Sequence, residues 1–362
     1  MKILLLGDYS GVHKNLRDGL RALGYQCDLA TTGDGFKKIS ASDLPIPASE
    51  KSMIRKFEKL IFPFTGLRQM LNYDVVQIIN CNVFGGWQFR YNYNCLLLSQ
   101  IKKHSHKMFM MACGEDHYVF SKRDSLRYNP FDEAIMQGET IGATYTDRRY
   151  VENNIRVAEL VDGIIPGMYE YAEAYREHEN CLATIPFPIN IDQIQSTPQR
   201  FENNRLKIFH GILREGFKGT RFIKEAMLRL KENYPNDVDI LIDGRMPLKK
   251  YLKVLEETNV IVDQALSYSY GMNAIYSMAM GKVVLSGNEP ECQQEFGRKD
   301  IPIINILPSA DDIYAKLEKL VLNKDEVIDI GNRSREFIED FHDYRKVAQR
   351  FVDTWSNIEV KS

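Results

Sequence analysis

The residues best suited to bind an anion lie in the run NVIVDQALSYSYGMNAIYSMAMGKVVLSG, residues 259–287. The pattern predicts a strand ending at Asp263, a loop rich in Ser and Tyr, and a helix from near Gly271 to Gly281. A glycine at a helix start lets a ligand approach the free N–H groups of the first turn, and these groups with the helix dipole favour an anion. A diphosphate is the natural candidate. The alternative is that Gly271 only relieves a tight turn.

A second group of candidates is the pair of cations in HGILREGFKG. Arg214 and Lys218 lie between a predicted strand and a predicted helix, at the carboxyl end of the strand. In open α/β sheets ligands bind at that edge. An arginine can hold phosphate oxygens through its planar fork, and a lysine acts as a point charge. The pair predicts phosphate binding, although two surface cations are also common in proteins without such a site.

Candidate proton acceptors follow another predicted strand, KMFMMA. The loop CGEDHYVF places Glu115, Asp116 and His117 at the end of that strand. Carboxylate and imidazole groups are the usual acceptors for the proton of a substrate hydroxyl. We expect Asp116 to be the base and His117 to orient it or to hold a phosphate. The alternative is a loop whose residues cap a helix, with the histidine in solvent.

The first loop of the chain, between a predicted strand and a predicted helix, offers further candidates. These are Gly7, Asp8, Gly11 and His13. Asp8 and His13 flank Gly11, so both could contact a substrate at the strand end. His13 could equally cap the start of the helix.

The elements that position these residues form two similar α/β units. The chain opens as strand, glycine loop, helix and strand, with Leu16, Leu20 and Leu23 at helical spacing. A matching unit begins near residue 206 with LKIF, HGILREGFKG, TRFIKEAMLRLKENYP and VDILID. Further predicted strands are YDVVQII, KMFMMA and GIIP in the first half and NVIVDQ, KVVLSG and IPIINI in the second. Strands alternating with helices predict parallel, doubly wound sheets.

The length and the break in pattern predict two domains. A chain of 362 residues exceeds the size at which one hydrophobic core usually keeps growing. The stretch PFPINIDQIQSTPQRFENNR is polar and lacks apolar periodicity, as expected of a linker. We predict an N-terminal domain at 1–190 and a C-terminal domain at 206–340. The terminal helix, 341–362, is expected to pack back on the first domain through Phe351 and Trp355.

Charge and cysteine content exclude several classes of protein. Lys plus Arg number 47 against 49 Asp plus Glu, so a net charge of -2 offers no basic field for nucleic acid. The 6 cysteines form no Cys-x-x-Cys pair and have no histidine at zinc-site spacing, so neither a zinc site nor a disulfide framework is predicted. No stretch approaches the ~20 apolar residues that cross a bilayer, and Asp8 interrupts the apolar start. We expect a cytoplasmic protein.

One segment of the first half has the composition of a membrane-surface helix. Residues 51–71, KSMIRKFEKLIFPFTGLRQML, mix basic side chains with Ile, Leu and Phe. A basic amphipathic helix can lie on an anionic membrane surface, which would place the protein at the inner face of a membrane. The alternative is a core-facing helix with a solvated basic face, the common arrangement in globular proteins.

The second half resembles the donor-binding half of GT-B glycosyltransferases of the retaining, nucleotide-sugar-dependent group 1 family. Lys218 and Gly219 match the Lys-Gly that ends a Gly/Arg/Lys loop in that family. Gly271 matches the second glycine of the Glu-Gly-Phe-Gly motif. The Met-Ala-x-Gly motif is matched by Met278, Ala279 and Gly281. The resemblance implies an α/β fold of two Rossmann-like domains that face each other across a cleft. It also implies that domain 206–340 binds the donor and that domain 1–190 is the acceptor side, with Gly7, Asp8, Gly11, His13 and Glu115.

The chain departs from the family at the two glutamates that stand eight positions apart, where Tyr268 and Tyr276 occur. In the family the first carboxylate contacts the sugar and the second accepts hydrogen bonds from the ribose. A tyrosine can make a hydrogen bond and stack on a ring, but it carries no negative charge. The resemblance implies that the donor is bound by Tyr268, Ser269, Tyr270, Gly271, Met272, Asn273 and Tyr276, together with Arg214 and Lys218.

The resemblance implies sugar transfer from a nucleoside-diphosphate sugar, the co-substrate, to a glycan or lipid-linked glycan, as in surface polysaccharide biosynthesis. The sequence contains no Asp-x-Asp metal motif suited to a nucleotide-sugar site, so we expect no obligatory cofactor and no metal site. Two alternatives stay open. One is a sugar-nucleotide epimerase on a similar frame. The other is a non-catalytic nucleotide-sugar or glycan-binding protein, which the two tyrosines favour.

Overall fold

The chain folds into two parallel sheets, one in each half. The computed structural model describes residues 1–32, 42–47, 61–84, 92–212, 214–244, 246 and 248–359. The first sheet has six strands and the second has five. Most successive parallel strands have a described helix between them, which confirms the predicted α/β class with two Rossmann-like domains.

The first sheet has the strand order β3-β2-β1-β4-β5-β6, and every pair is parallel. Its strands are β1 (Lys2–Leu6), β2 (Gln26–Thr31), β3 (Leu44–Pro45), β4 (Val75–Ile78), β5 (Lys107–Ala112) and β6 (Gly163–Pro166). The helices of this half whose bounds are described are α1 (Val12–Ala22), α2 (Tyr93–Lys103), α3 (His117–Ser121), α4 (Pro130–Met136), α5 (Ala143–Thr146), α6 (Arg148–Leu160) and α7 (Tyr169–Tyr175), and residues 61–65 are helical as well.

The second sheet has the order β11-β10-β9-β7-β8 and is also parallel. Its strands are β7 (Leu206–Ile212), β8 (Val238–Gly244), β9 (Val260–Val262), β10 (Val283–Ser286) and β11 (Ile304–Asn305). The helices that follow β7 are α8 (Thr220–Asn233), α9 (Leu248–Glu257), α10 (Met272–Ala279), α11 (Pro290–Phe296), α12 (Ala310–Leu322), α13 (Lys324–Phe337) and α14 (Tyr344–Asn357).

Several strands are buried along their whole length, because helices cover both faces of each sheet, and most of their residues are apolar. All four residues of β4, of β6 and of β10 are buried. Such strands read as continuous apolar runs rather than as alternating patterns. This is why the sequence already marks them as YDVVQII, GIIP and KVVLSG.

The last helix, α14, packs on the first half. Trp355 and Phe351 are fully buried. The Trp355 indole Nε1 donates to Gln77 Oε1 of β4 at 3.0 Å, and Lys107 Nζ of β5 donates to the Trp355 carbonyl at 2.6 Å. The chain therefore returns to the first sheet after it has completed the second.

The close approach of α1 and α14 requires a glycine. A Cβ at Gly19 would lie 2.1 Å from the Tyr344 carbonyl oxygen and 2.9 Å from the Ala348 Cβ. We expect Gly19→Ala to lower the free energy of unfolding by ~1–3 kcal/mol, although alanine is the better helix former by roughly 1 kcal/mol. Urea titration measures this. An increase in stability would mean that the two helices have room between them.

The segment proposed for membrane contact is described only in part, since residues 51–60 lie outside the described residues. In the remainder, Phe62 is buried in the first half and Phe64 is 86% exposed. Within the described ranges, none of the helices combines the length and the apolar character needed to cross a membrane.

Candidate functional site

A cavity of about 530 Å³ lies between the two halves. The first half lines it with residues that follow β1, β5 and β6, and the second half with residues that follow β7 and β9. All these segments leave the carboxyl ends of parallel strands, which is the edge where open α/β sheets bind ligands. The volume is that of a small-molecule site.

Lys218 lies on the cavity wall of the second half. Its Nζ is 2.8 Å from Oδ1 of the buried Asp263, and the Asn273 amide donates to the same oxygen at 2.7 Å. Gly219 follows with a φ of 68°, a left-handed conformation that a glycine adopts without strain, and starts α8. Lys218 is therefore held in place at the start of α8, while Asn273 supports Asp263 and does not line the cavity.

Arg214 reaches across the cavity to the first half. Its Nη1 lies 2.6 Å from Glu115 Oε2, and the Tyr145 hydroxyl donates to that oxygen at 3.0 Å. The guanidinium stacks on Phe217, 3.2 Å from the ring centroid. The structure thus joins a residue predicted for the donor side to one predicted for the acceptor side.

The start of α10 is open towards the cavity. Gly271 and Met272 line the cavity, and no side chain caps the helix at Gly271. A Cβ built at Gly271 would meet no atom within 4 Å. The φ of -103° does not demand a glycine, so backbone strain does not explain the residue. The free space leaves room for a ligand beside the first turn of the helix.

Tyr268 lines the cavity, but neighbouring groups hold its phenol ring and hydroxyl. The hydroxyl accepts a hydrogen bond from the Arg127 N–H at 2.7 Å. The ring lies 4.9 Å from that of Tyr128 and 5.4 Å from that of Tyr169, and the residue is 2% exposed. Tyr276 is half-buried against the core and does not line the cavity. The two tyrosines therefore bring no negative charge to the cavity.

His342 ties the loop before α10 to the first half. Its Nε2 lies 2.9 Å from the Tyr270 hydroxyl, and its Nδ1 lies 2.7 Å from the Phe187 carbonyl. Burial lowers the pKa of His342 to about 4. The neutral ring therefore donates from Nδ1 to Phe187 and accepts the Tyr270 proton at Nε2.

No family model matches the sequence, and no curated protein matches it. Solved structures do match. The structure of Anabaena HepE in complex with UDP and glucose has a TM-score of 0.61 and 11% identity, covering 99% of this chain and 100% of that one. Sucrose-phosphate synthase from Thermosynechococcus elongatus has a TM-score of 0.61 and 14% identity, covering 98% of each chain. The chain has the GT-B fold.

A further match belongs to a different class of enzyme. The UDP-GlcNAc 2-epimerase of Neisseria meningitidis, bound to UDP-GlcNAc, has a TM-score of 0.53 and 11% identity, covering 98% of this chain and 100% of that one. The structure of this chain is thus similar both to those of glycosyltransferases and to that of an epimerase. The choice between these activities depends on the residues in the cavity.

Within the GT-B fold, Asp116 does not line the cavity, although the sequence predicts that it acts on a substrate. It is 1% exposed. Its carboxylate caps α3 by accepting from the Val119 N–H at 3.1 Å, and it accepts from the Tyr175 hydroxyl at 2.5 Å. Burial raises the pKa of Asp116. The alternative interpretation of the loop as a helix cap is thus right for this residue.

His117 also packs against its own half of the GT-B fold. Its Nδ1 lies 2.9 Å from the Tyr145 carbonyl, and its N–H donates to Asn154 at 3.0 Å. Neither Asp116 nor His117 lines the cavity, whereas Glu115 does. Of the three candidates in this loop, the structure brings Glu115 to the cavity.

The glycine loop after β1 is built from the other predicted residues of the first half. The Asp8 carboxylate accepts from the His13 N–H at 2.8 Å, and His13 Nδ1 lies 2.7 Å from the Gly7 carbonyl. Gly7 and Gly11 have positive φ. These residues stabilise the conformation of the loop without lining the cavity. The loop residues that line it are Tyr9, Ser10 and Val12.

Two residues predicted for the donor side, Ser269 and Tyr270, do not line the cavity. Ser269 is fully buried, and its hydroxyl accepts from the Tyr169 N–H at 3.2 Å. Tyr270 is bonded to His342 as described. Both residues fix the loop before α10 to the first half. Of the donor-side predictions, those that line the cavity are Arg214, Lys218, Tyr268, Gly271 and Met272.

Glu170 is a cavity residue that the sequence interpretation missed. It lies in the first turn of α7, and its Oε1 accepts from the N–H groups of Tyr268 at 2.6 Å and Ser269 at 2.9 Å. The Ser267 hydroxyl donates to the same oxygen. Its position after the end of β6 was a usable signal, because every other cavity segment also follows a strand end.

Among the described residues, no group of three His, Cys, Asp or Glu side chains could hold a metal ion.

Buried neutral histidines give the fold a pH dependence. Burial lowers the pKa of His13, His210 and His342 from 6.5 to about 4. Below pH 6.5 each histidine is protonated in the unfolded state but stays neutral in the folded state until the pH nears 4. Stability is therefore greatest above pH 6.5 and falls as the pH falls towards 4. We expect the free energy of unfolding to fall by ~2 kcal/mol per histidine between pH 7 and pH 5.

Urea titrations at both pH values measure this dependence. Between pH 7 and pH 5, the free energy of unfolding should fall less in the variant His342→Gln than in the wild type. His106→Gln serves as the control, because His106 is 82% exposed and should leave the dependence unchanged. Equal pH dependence in His342→Gln and the wild type would contradict the assignment to buried histidines.

Proposed function

We propose that the protein is a glycosyltransferase that moves a sugar from a nucleoside-diphosphate sugar to the hydroxyl of a glycan or lipid-linked glycan. The observation that carries this proposal is the cavity between the halves. In it two cations, Arg214 and Lys218, and the uncapped start of α10 at Gly271 stand opposite the carboxylate of Glu115. The cations suit a diphosphate, and the carboxylate suits a hydroxyl.

The donor diphosphate binds by replacing the carboxylates that pair with the two cations in the free protein. In the free protein Arg214 is paired with Glu115 and Lys218 with Asp263. Phosphate oxygens compete with these carboxylates for the same N–H groups, and the N–H groups at the start of α10 add further donors. As the bond between the sugar and the diphosphate breaks, negative charge grows on the leaving oxygen. Donors already in place stabilise that charge, which is the largest contribution in reactions of this kind.

Glu115 takes the proton of the acceptor. When the diphosphate draws Arg214 away, Oε2 of Glu115 keeps its hydrogen bond from Tyr145 and loses the one from Arg214, so the carboxylate can accept the acceptor hydroxyl in its place. The acceptor hydroxyl attacks the anomeric carbon, the bond from that carbon to the diphosphate breaks, and the hydroxyl proton passes to Glu115. Donor binding therefore precedes activation of the acceptor.

The donor and acceptor are proposed from two sources. The matching structures include complexes with UDP, UDP-glucose and UDP-GlcNAc, so UDP-sugars are the first donors to test. The acceptor class and a role in surface polysaccharide biosynthesis follow from the sequence resemblance. In this proposal the reaction takes place in the cytoplasm, at the inner membrane face if residues 51–71 touch lipid.

Two other activities are consistent with particular observations. The match to an epimerase favours interconversion of a sugar nucleotide without an acceptor. The absence of carboxylates at Tyr268 and Tyr276 favours binding without turnover. One experiment separates the three. UDP-sugars are incubated with and without a glycan panel, and free UDP and the sugar nucleotides are measured.

Acceptor-dependent release of UDP supports the transferase. A changed sugar nucleotide without release of UDP supports the epimerase. Saturable binding with neither product supports the binding protein. Thermal shift with UDP, GDP and ADP identifies the base beforehand, because a ligand at ~100 times its dissociation constant adds ~2.7 kcal/mol to the folded state.

A further inference from the structure

Glu170 places a carboxylate beside the position where the sequence lacks one. Tyr268 stands at the first glutamate position of the resembling family, and its ring and hydroxyl are held by Tyr128, Tyr169 and Arg127. The carboxylate of Glu170 lies directly on the backbone of that residue, at 2.6 Å from its N–H. Glu170 comes from α7 of the first half, so it reaches this loop from the opposite side of the cleft.

The two oxygens of Glu170 are used differently. Oε1 accepts three hydrogen bonds, from Ser267, Tyr268 and Ser269. Oε2 is buried and has no hydrogen-bond partner among the described residues. Burying a carboxylate oxygen without a hydrogen-bond donor raises the free energy of the folded state, because the oxygen loses its hydrogen bonds to water and no protein group replaces them. Since Glu170 lines the cavity, a ligand there can supply the missing donor.

The chemistry of the cavity limits what that donor can be. Arg214 and Lys218 lie in the same cavity and suit the diphosphate. A phosphate oxygen has no proton to donate at neutral pH and would be repelled by Glu170. A sugar hydroxyl donates readily to a carboxylate, and such charge-assisted bonds are roughly twice as strong as neutral ones.

We propose that Oε2 of Glu170 accepts a hydrogen bond from a hydroxyl of the transferred sugar, and that Glu170 thereby selects which sugar is bound. This inference rests on the proposed function. Because Glu170 and the loop 267–269 belong to opposite halves, the bond to the sugar forms only when the two halves are closed on each other. The sugar, and not the nucleotide alone, then favours the closed state.

The test compares a nucleoside diphosphate with its sugar conjugates in Glu170→Gln. The amide oxygen of Gln can still accept from the three loop donors, while an NH₂ group replaces Oε2. Calorimetric titration uses UDP, GDP or ADP, whichever binds, and its glucose, galactose and N-acetylglucosamine conjugates. We expect unchanged affinity for the diphosphate and a roughly tenfold or greater loss for the preferred conjugate.

A set of deoxy sugars identifies the hydroxyl. In the wild type, removing the hydroxyl bonded to Glu170 should weaken binding by roughly tenfold, while in Glu170→Gln the same removal should have no effect. Glu173→Gln on the same helix is the matched control, since that carboxylate pairs with Arg176 at the surface, and it should bind like the wild type. If Glu170→Gln does not fold, Glu170→Asp replaces it, because a shortened carboxylate cannot serve both the loop and the sugar.

The outcomes separate this inference from the function on which it rests. If the wild type prefers a conjugate and the Glu170 variant has the same preference, Oε2 binds water and the inference is wrong while the proposed function stands. Equal loss for diphosphate and conjugate would make Glu170 a contact between the halves only, which also contradicts the inference. If no sugar conjugate binds the wild type, the proposed function fails, and the inference fails with it.

Discussion

Glu115→Gln is expected to lower turnover by about 10²- to 10⁴-fold, the usual contribution of a positioned base. The same change should leave the affinity for a nucleoside diphosphate unchanged or raise it. In the free protein the Glu115 carboxylate competes with the diphosphate for Arg214, at a distance of 2.6 Å. A neutral amide competes less, so Arg214 becomes easier to recruit. Initial rates at saturating donor and acceptor, together with calorimetric titration, measure both effects.

Variants of the neighbouring residues test whether the effect belongs to Glu115. Asp116→Asn should reduce stability, because it alters a buried carboxylate that accepts from Tyr175 and Val119. His117→Ala tests whether that residue orients the loop or touches a phosphate. Glu177→Gln is the control, since Glu177 is a surface residue paired with Lys122. Wild-type turnover in Glu115→Gln combined with a large loss in soluble, folded Asp116→Asn would restore Asp116 as the base.

Arg214→Ala and Lys218→Ala should each weaken nucleoside diphosphate binding by roughly tenfold or more. A hydrogen bond to a charged group contributes ~1.5–3 kcal/mol, and a tenfold change corresponds to ~1.4 kcal/mol. Binding of the nucleoside without phosphates should change little, because neither cation would contact it. Titration of each variant with nucleoside and nucleoside diphosphate gives the comparison.

The two variants should differ in stability. Lys218→Ala leaves the buried Asp263 with only the Asn273 amide as a partner, so it should also lower the melting temperature. Arg214→Ala should lower the melting temperature less, because Glu115 is half-buried and keeps its hydrogen bond from the Tyr145 hydroxyl. Lys224→Ala, an exposed cation on α8, is the control for a general loss of positive charge. Equal weakening of nucleoside and diphosphate would show that the pair does not contact phosphate.

Much of the fold follows from the sequence because buried parallel strands carry an unmistakable pattern. KILLL, KMFMMA and KVVLSG are apolar without alternation, and glycines mark the turns that follow them. The sequence also predicts that Gly271 starts a helix, as it does. Local patterns of this kind depend on residues that are near one another in the chain.

The site is less predictable because it depends on contacts between distant residues. Sequence alone does not show that Asp116 points inward to Tyr175, 59 positions away, while Glu115 points to Arg214, 99 positions away. The same limit applies to Tyr270, whose hydroxyl meets His342 from the segment before the last helix. Adjacent residues in a loop can face opposite sides, and tertiary packing decides which one reaches the cavity.

Glu170 lies outside the motifs on which the family resemblance rests. Those motifs are in the second half, where Tyr268 and Tyr276 stand at the two glutamate positions. The structure places a carboxylate from α7 of the first half onto the Tyr268 backbone. A systematic list of charged residues just beyond every predicted strand would have included Glu170, since it follows β6 by four positions.

A crystal structure of the wild-type protein with a bound nucleoside-diphosphate sugar tests the central claim most directly. We expect the diphosphate to lie in the cavity between the halves, bonded to Arg214 and Lys218 and beside the first turn of α10. Glu115 should have separated from Arg214 and should face the anomeric carbon from the first half. A nucleotide bound elsewhere, or a diphosphate in this cavity that leaves both cations on their carboxylates, would contradict the account.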